Sequence, residues 1–306
     1  MEDEIPKLIP ARNISEIKNK QRRLEEYLKL KQEKLKLKKA KKKAKAKAIA
    51  AGENVPKQVP RTLENTREPD ETMVDPEDQE IQADQSFDEF SSYYNREEPP
   101  KVVITCSENP HTWTIRFCRE LKLLIQDSIF VYRRHASLKK LVEEAKRREF
   151  TNVVVVTEDR RHPTGMLVIH LPEGPTAFFR ISSVKYCKNI KNRAEWTSHK
   201  PEIVMNNFRT RLGLSIGRLF TSLFQYNPDF RGRRVVTFHN QRDYIFVRHH
   251  RYEFKNESRA ALQEIGPRFT LRLRSLQKNT FDTKFGEYEW ILKRHEMETS
   301  RRRFFL

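Results

Sequence analysis

The distribution of charge along the chain is the feature that most restricts what it can fold into. The 306 residues include 61 Lys and Arg against 42 Asp and Glu, a formal net charge of +19. Residues 1–63 hold 19 basic and 8 acidic side chains, whereas residues 64–98 hold 2 basic and 13 acidic ones. These two blocks cancel, so the whole excess belongs to residues 99–306. The chain is therefore predicted to be a polar leader followed by one sizeable basic domain. A domain of this charge is typical of proteins that bind nucleic acid.

Residues 1–50 predict a Lys-rich basic extension that is partly helical. Asn13 and Glu16 form a capping-box pattern, and Lys29–Lys47 contains 11 lysines interleaved with the helix formers Leu and Ala. Two interpretations stay open, a solvated basic helix and a nuclear or nucleolar targeting signal that also contacts RNA phosphate. The residues assigned to targeting are Lys38, Lys39, Lys41, Lys42, Lys43, Lys45 and Lys47.

Residues 51–98 predict an acidic disordered linker, because they combine prolines and carboxylates with few groups that could build a core. The end of this segment is an exception, since it carries four aromatic residues. For these we consider docking on the folded domain, binding to a partner, or simply a sticky end of the linker. They are Phe87, Phe90, Tyr93 and Tyr94.

From Lys101 onwards the hydrophobic pattern predicts an α/β domain. Short β-branched runs alternate with helical spacing, beginning with a strand at 102–106 and a helix at 112–126. A second strand–Asn–helix–strand pattern at 202–239 resembles this opening. We therefore expect an α/β sheet built from two similar halves.

Few patterns in the chain indicate catalysis or a cofactor. The three cysteines are widely spaced without a CxxC pair, which argues against a disulfide scaffold or a Cys-rich zinc site. Neither GxGxxG nor GxxxxGK[ST] occurs, so these two phosphate-binding loops are lacking. His239 and Asp243 are a candidate pair for a metal-dependent nuclease, but they fall at a predicted turn where polar residues are ordinary. No catalytic residue, metal or cofactor is predicted.

The strongest local pattern lies between Gly266 and Lys278. A Gly-Pro turn precedes alternating apolar and basic residues, as in a strand with one buried and one wet face. Phe269, Leu271 and Leu273 would face the core, and outward arginines about 6.8 Å apart would bind phosphate. The alternative is an edge strand that uses charge to avoid aggregation. The predicted RNA-binding residues are Arg268, Phe269, Thr270, Arg272, Arg274, Gln277 and Lys278.

Three stretches of the sequence resemble the Brix-domain family of ribosome-biogenesis factors. They are RHPTG at 161–165, HLPEGPTA at 170–177 and EIGPRF at 264–269. The resemblance covers roughly residues 99–290, which implies a domain over those residues and a basic C-terminal tail over residues 291–306. It implies an α/β domain of two similar halves, each similar to the anticodon-binding domain of class II aminoacyl-tRNA synthetases. It also implies that the segment after Gly266-Pro267 is the family's sigma-like motif, which is associated with RNA binding.

The resemblance implies a non-catalytic factor that binds precursor ribosomal RNA during assembly of the large (60S) subunit in the nucleus and nucleolus. The implied partners are that RNA, proteins of the pre-60S particle and one smaller dedicated protein, with no cofactor and no membrane. Two alternatives from other classes remain. An RNA-processing nuclease on the same basic α/β scaffold would cleave the RNA, and a pure protein-interaction scaffold would bind RNA negligibly at physiological salt.

Overall fold

The computed structural model describes residues 17–50, 59–75, 78–257, 259–282, 285–293, 297 and 302–306. The chain divides into two units, Met1–Arg61 and Thr62–Leu306. The first unit contains helix α1 (Lys20–Ala50), which includes the Lys-rich run. The side chain of Asn19 caps it by accepting the N–H of Gln21 at 3.0 Å. The predicted cap at Asn13 and Glu16 lies outside the described residues.

In the second unit, eleven strands formed by described residues make one mixed sheet. The strands are β1 (Val102–Cys106), β2 (Ser128–Phe130), β3 (Asn152–Asp159), β4 (His162–His170), β5 (Thr176–Lys185), β6 (Glu202–Asn206), β7 (Arg234–Gln241), β8 (Tyr244–Asn256), β9 (Arg259–Glu264), β10 (Arg268–Gln277) and β11 (Tyr288–Ile291). The helices are α2 (Gln79–Phe87), α3 (Ser91–Tyr94), α4 (Thr112–Leu124), α5 (Leu138–Arg147) and α6 (Arg211–Thr221). No helix in the described ranges is both long and apolar enough to cross a membrane.

The strand order shows two halves of similar topology. The order is β2-β1-β3-β4-β5-β10-β8-β7-β6, with β9 paired to β8 and β11 to β10. In each half an outer strand, β1 or β6, runs parallel to its inner neighbour, β3 or β7. The next two strands of each half are antiparallel, and the halves meet where β5 pairs antiparallel with β10. The predicted α/β class is confirmed, and β9 and β11 were not foreseen.

The two faces of the sheet are covered unequally. Helices α4 and α6 pack on one face, where the ring of Phe220 stacks on Phe238 at 4.8 Å and lies 5.0 Å from Phe179. On the other face, α5 buries Val142 and Ala145 against the strands of the first half. Over the second half, most side chains on that same face are partly or fully exposed. This uncovered face is where a ligand can approach the sheet.

The structure corrects the predicted disordered linker over residues 79–94, which form α2 and α3 and pack on the domain. Phe90 is buried, and the hydroxyl of Tyr93 donates to the carbonyl of Phe224 at 2.9 Å. Arg218 donates to the carboxylate of Asp88 at 2.7 Å. Two aromatic side chains, Phe90 and Tyr93, provide the apolar area that orders the segment. The composition averaged over residues 51–98 does not show this, because the rest of the segment is polar.

The predicted basic C-terminal tail also needs correction, because its described end is part of the fold. Phe304 and Leu306 are buried. The carboxylate of Asp243 accepts the N–H of Phe305 at 2.8 Å and that of Leu306 at 2.9 Å, and Asn240 donates to the carbonyl of Leu306 at 2.9 Å. The apolar side chains at 304–306 explain why this end packs on the domain. The many basic residues in the rest of the tail hid this apolar end in the sequence pattern. Asp243 is thereby committed to a structural role.

A buried pair, Arg234 and His249, ties several segments together. The guanidinium of Arg234 donates to two carbonyls of the 197–199 loop, both at 2.6 Å, and to the carbonyl of Leu123 at 3.0 Å. Its Nε donates to His249 at 3.2 Å, and the other imidazole nitrogen of His249 lies 2.8 Å from the carbonyl of Gly266. Burial, together with the adjacent guanidinium, lowers the pKa of His249 to about 3. The imidazole is therefore neutral.

We predict that Phe90→Ala lowers the free energy of unfolding by about 3–5 kcal/mol, because it leaves a cavity beneath α3. Phe87→Ala is the matched control, since its ring is 90% exposed. Urea unfolding followed by circular dichroism measures both. Equal stability of the two variants would show that the segment around Phe90 does not dock.

We predict that stability falls as the pH is lowered from about 6.5 towards 3. His249 has an ordinary pKa of 6.5 when unfolded and about 3 when folded, so acid favours the unfolded chain. The stabilisation is complete above pH 6.5 and is lost with a slope of up to about 1.4 kcal/mol per pH unit. Urea unfolding across this range should show a shallower slope for His249→Gln than for the wild type. The exposed His162, replaced by Gln, is the control. Identical slopes for all three proteins would contradict the assignment.

Candidate nucleic-acid interface

The strand that carries the strongest sequence pattern, β10, lies in the middle of the sheet. It pairs with β5 along one side and with β8 and β11 along the other. Arg272 is opposite Arg180 of β5 and Tyr244 of β8. β10 is therefore not an edge strand, and the alternative that its arginines protect an exposed edge from aggregation is wrong.

The predicted alternation is confirmed over residues 268–273. Phe269, Leu271 and Leu273 are buried, and the ring of Phe269 packs edge to face on Phe117 at 5.2 Å. Arg268 and Arg272 are half-buried on the opposite side. Phe269 is thus an anchor of the strand inside the core, and its predicted contact with RNA is corrected, because its ring is not accessible from the uncovered face.

The second half of β10 departs from simple alternation. A bulge between Leu273 and Ser275 shifts the register with β5 at Arg274. Beyond it Gln277 is buried, and its amide donates to the carbonyl of Asp282 at 3.0 Å. Gln277 is therefore a structural residue, contrary to its predicted RNA contact. The next predicted residue, Lys278, is exposed.

Thr270 is also largely inaccessible, although it points towards the uncovered face. It is 5% exposed and lies between Ser182 of β5 and Phe246 of β8 in the register. Longer neighbouring side chains cover its short hydroxyl. Of the seven predicted RNA-binding residues, those that keep accessible charge are Arg268, Arg272, Arg274 and Lys278.

Neighbouring strands add residues that the sequence analysis missed. Arg180 of β5 lies beside Arg272, and Arg248 of β8 lies on the same face. The guanidinium of Arg272 is 5.2 Å from the ring centre of Tyr244, and that of Arg248 is 5.6 Å from the ring centre of Phe246. We call Arg180, Arg248, Arg268 and Arg272 the arginine cluster. No local signal could have united them, because they come from three strands distant in sequence.

The electrostatics of the arginine cluster favour an anionic ligand. Arg268 lies 3.4 Å from the carboxylate of Glu264, which offsets one of the four charges. Burial lowers the pKa of Arg248, and the nearby charge of Arg268 lowers it further. Like charges on strands about 4.8 Å apart repel one another, so a bound phosphate would relieve this repulsion. Guanidiniums also bind phosphate bidentately.

The residues considered for a nuclease do not assemble a metal site in the described structure. Asp243 accepts the two backbone N–H groups of residues 305 and 306, and burial raises the pKa of its carboxyl. His239, the other candidate, is half-buried on β7. Within the described ranges no three His, Cys, Asp or Glu side chains converge in a way that could hold a metal ion.

The residues assigned to targeting all lie on α1. The cluster Lys38–Lys47 occupies the last part of this helix, and its lysines are exposed. The apolar residues on α1 are also largely exposed, among them Leu24, Leu28 and Leu35. The helix therefore presents a continuous basic surface to solvent, as the sequence pattern indicated.

Comparison with known proteins places these observations in a family. The Brix-domain profile matches residues 107–275. The chain is 55% identical over 303 residues to the Mus musculus protein named ribosome production factor 1, covering 97% of this chain and 86% of that protein. It is 42% identical over 253 residues to the protein of the same name from Saccharomyces cerevisiae, covering 82% of each.

A solved structure, that of a probable ribosomal biogenesis protein from Aeropyrum pernix K1, is similar at 17% identity with a TM-score of 0.44. The match covers 63% of this chain and 99% of that one. The two relatives compared by sequence align with nearly the whole described domain, including β10 and the strands beside it. This chain belongs to the Brix-domain family.

Proposed function

We propose that this chain is a non-catalytic assembly factor that binds precursor ribosomal RNA while the large (60S) ribosomal subunit is built in the nucleolus. The observation that carries the proposal is the arginine cluster, held on the uncovered face of a Brix-domain sheet together with two aromatic rings. Relatives that match almost the whole chain are named ribosome production factor 1, which supports the assignment to ribosome assembly.

The arginine cluster is suited to RNA phosphate more than to base sequence. Its four arginines lie on paired strands, so the hydrogen bonds of the sheet hold the backbone of each arginine rigidly before any ligand binds. Contacts to phosphate position a nucleic acid but carry no information about its bases. The factor would thus recognise the shape of the RNA backbone, and its affinity would depend strongly on salt.

An RNA-processing nuclease is the alternative function, and one of its two candidate residues has other partners. His239 lies on β7, whereas the carboxylate of Asp243 accepts backbone N–H groups of Phe305 and Leu306. No observation in the described structure favours this alternative. Incubation of labelled precursor RNA with the protein and Mg²⁺ decides the matter, because the proposal requires binding without cleavage.

We further infer that each half of the domain is similar to a class II synthetase anticodon-binding domain and that one smaller protein is a dedicated partner. The repeated strand order supports the first inference.

We assign the domain to residues 99–290 together with the docked segments 79–94 and 302–306, whose buried side chains belong to it. Residues 1–50 serve as the basic extension.

We predict that replacing Arg180, Arg268 and Arg272 together by Gln weakens binding to RNA of any sequence. If each of the three contacts phosphate, the slope of log K against log salt should shrink by about 2–3 units. Filter binding or fluorescence anisotropy across a salt series measures it, and thermal unfolding checks that the variant folds.

The matched control removes three exposed basic residues on or beside the helices of the opposite face, namely Arg119, Lys122 and Arg209. It changes the net charge equally and should alter the salt slope much less. If both triple variants lose affinity equally, net charge alone attracts the RNA and the arginine cluster is not its binding site.

We also predict that Lys38–Lys47 contributes to nuclear and nucleolar accumulation. Replacing its seven lysines by Gln keeps helix propensity and removes the charge. A fluorescent fusion of the variant should shift towards the cytoplasm. Gln at the lysines nearer the start of α1, Lys20, Lys29, Lys31 and Lys34, is the control, and unchanged localisation of the Lys38–Lys47 variant would refute the prediction.

A further inference from the structure

A cavity of about 370 Å³ opens at the end of β5, where the first turn of α4 and the start of β4 also line it. Ser182, which lines it, is the register partner of Thr270 on β10. The cavity thus lies within one strand of the arginine cluster. Its other lining residues include Trp113, His162, Pro163, Tyr186 and Asn189.

One wall of the cavity is aromatic. Trp113, in the first turn of α4, is 45% exposed although it is a large apolar side chain. Its ring centre lies 5.3 Å from that of Tyr186 with an angle of 38° between the planes. The guanidinium of Arg116 is 5.6 Å from the ring centre of Tyr186. Trp113 is therefore held from one side by another ring while part of its surface remains open to a ligand.

Tyr186 forms the back of this aromatic wall. It is 6% exposed, and its hydroxyl has no hydrogen-bond partner among the residues that the structure describes. Burial, with the charge of Glu120, raises the pKa of Tyr186 to about 12. The ring that supports Trp113 is therefore neutral.

The surroundings combine small polar groups with positive charge. Ser182, Ser183 and Asn189 provide neutral donors and acceptors in the lining. Lys185 is exposed and is the register partner of Arg268, and Lys188 is exposed in the turn after β5. A ligand with a flat apolar ring, polar edges and an attached anion matches these three properties, and a nucleotide has all of them.

We propose that this cavity binds one unpaired nucleobase of the RNA whose phosphates contact the arginine cluster. The base stacks on Trp113, and the polar side chains of Ser182, Ser183 and Asn189 meet its edge. Double-stranded RNA has no free base to insert, so the cavity makes the protein prefer RNA with a single-stranded segment. The inference rests on the proposed RNA-binding function and adds to it the kind of RNA that is preferred.

The test compares Trp113→Ala with Trp113→Phe in the full chain, by fluorescence anisotropy. The probes are a labelled single-stranded RNA of about 12 nucleotides and a duplex of the same sequence. Trp113→Ala should weaken single-strand binding roughly 5- to 100-fold, as loss of one stacked base does, and should leave duplex binding and the salt slope unchanged. Trp113→Phe should keep most of the affinity, because it keeps an aromatic face.

The control is Phe254→Ala, which removes another exposed aromatic side chain that pairs with a tyrosine, Tyr252, at 5.4 Å. It should bind both RNAs like the wild type. Equal single-strand affinity of Trp113→Ala and the wild type, or an equal loss on single strand and duplex, overturns the inference and leaves the arginine cluster standing. If the wild-type protein binds neither RNA, the proposed function fails, and the inference fails with it.

Discussion

The pairing of β5 with β10 is the interaction on which the rest of the structure depends. It joins the two halves of the sheet, and this antiparallel pairing extends over most of the length of both strands. Phe179 of β5 and Leu271 and Leu273 of β10 point from this junction into the core, where Phe220 of α6 packs on Phe179. Burying these side chains on one face forces the residues between them onto the other. A shift of one residue in this register would bury the arginines.

The functional surface follows from that constraint. Because α4 and α6 occupy one face and α5 covers only the first half of the other, the arginines of β5, β8 and β10 remain accessible where the halves join. The central position of β10 supplies backbone partners on both sides, so the charged side chains project from a rigid support. A binding surface for a long polyanion needs little more than this spacing and rigidity.

Much of the fold could be predicted from the sequence, and the failures share a cause. Strands such as Val102–Cys106 were predicted at their observed bounds, because a β-branched run between turn residues has few other interpretations. The docking of Phe90, the burial of Leu306 and the position of Trp113 beside Tyr186 depend on residues brought together by the tertiary fold. Local composition does not show which distant residues come into contact in the folded chain.

The same distinction applies to the site. Alternation along β10 separates Phe269 from Arg268 correctly, since it requires only the pleat of one strand. Arg180, Arg248 and Tyr244 enter the site through strand order, which a single sequence does not reveal, and the bulge at Arg274 is equally hidden. Sequence reasoning therefore pointed to one strand of the proposed interface, and the structure supplied its neighbours.

Photo-crosslinking of the full-length protein to precursor ribosomal RNA, with the crosslinked peptides identified by mass spectrometry, tests the central claim most directly. The account predicts that crosslinks within the domain concentrate on the β5, β8 and β10 peptides, at residues of the uncovered face such as Tyr244 and Phe246. Crosslinks confined to α6 and to the later turns of α4 around Arg119 and Lys122, on the opposite face, would contradict it.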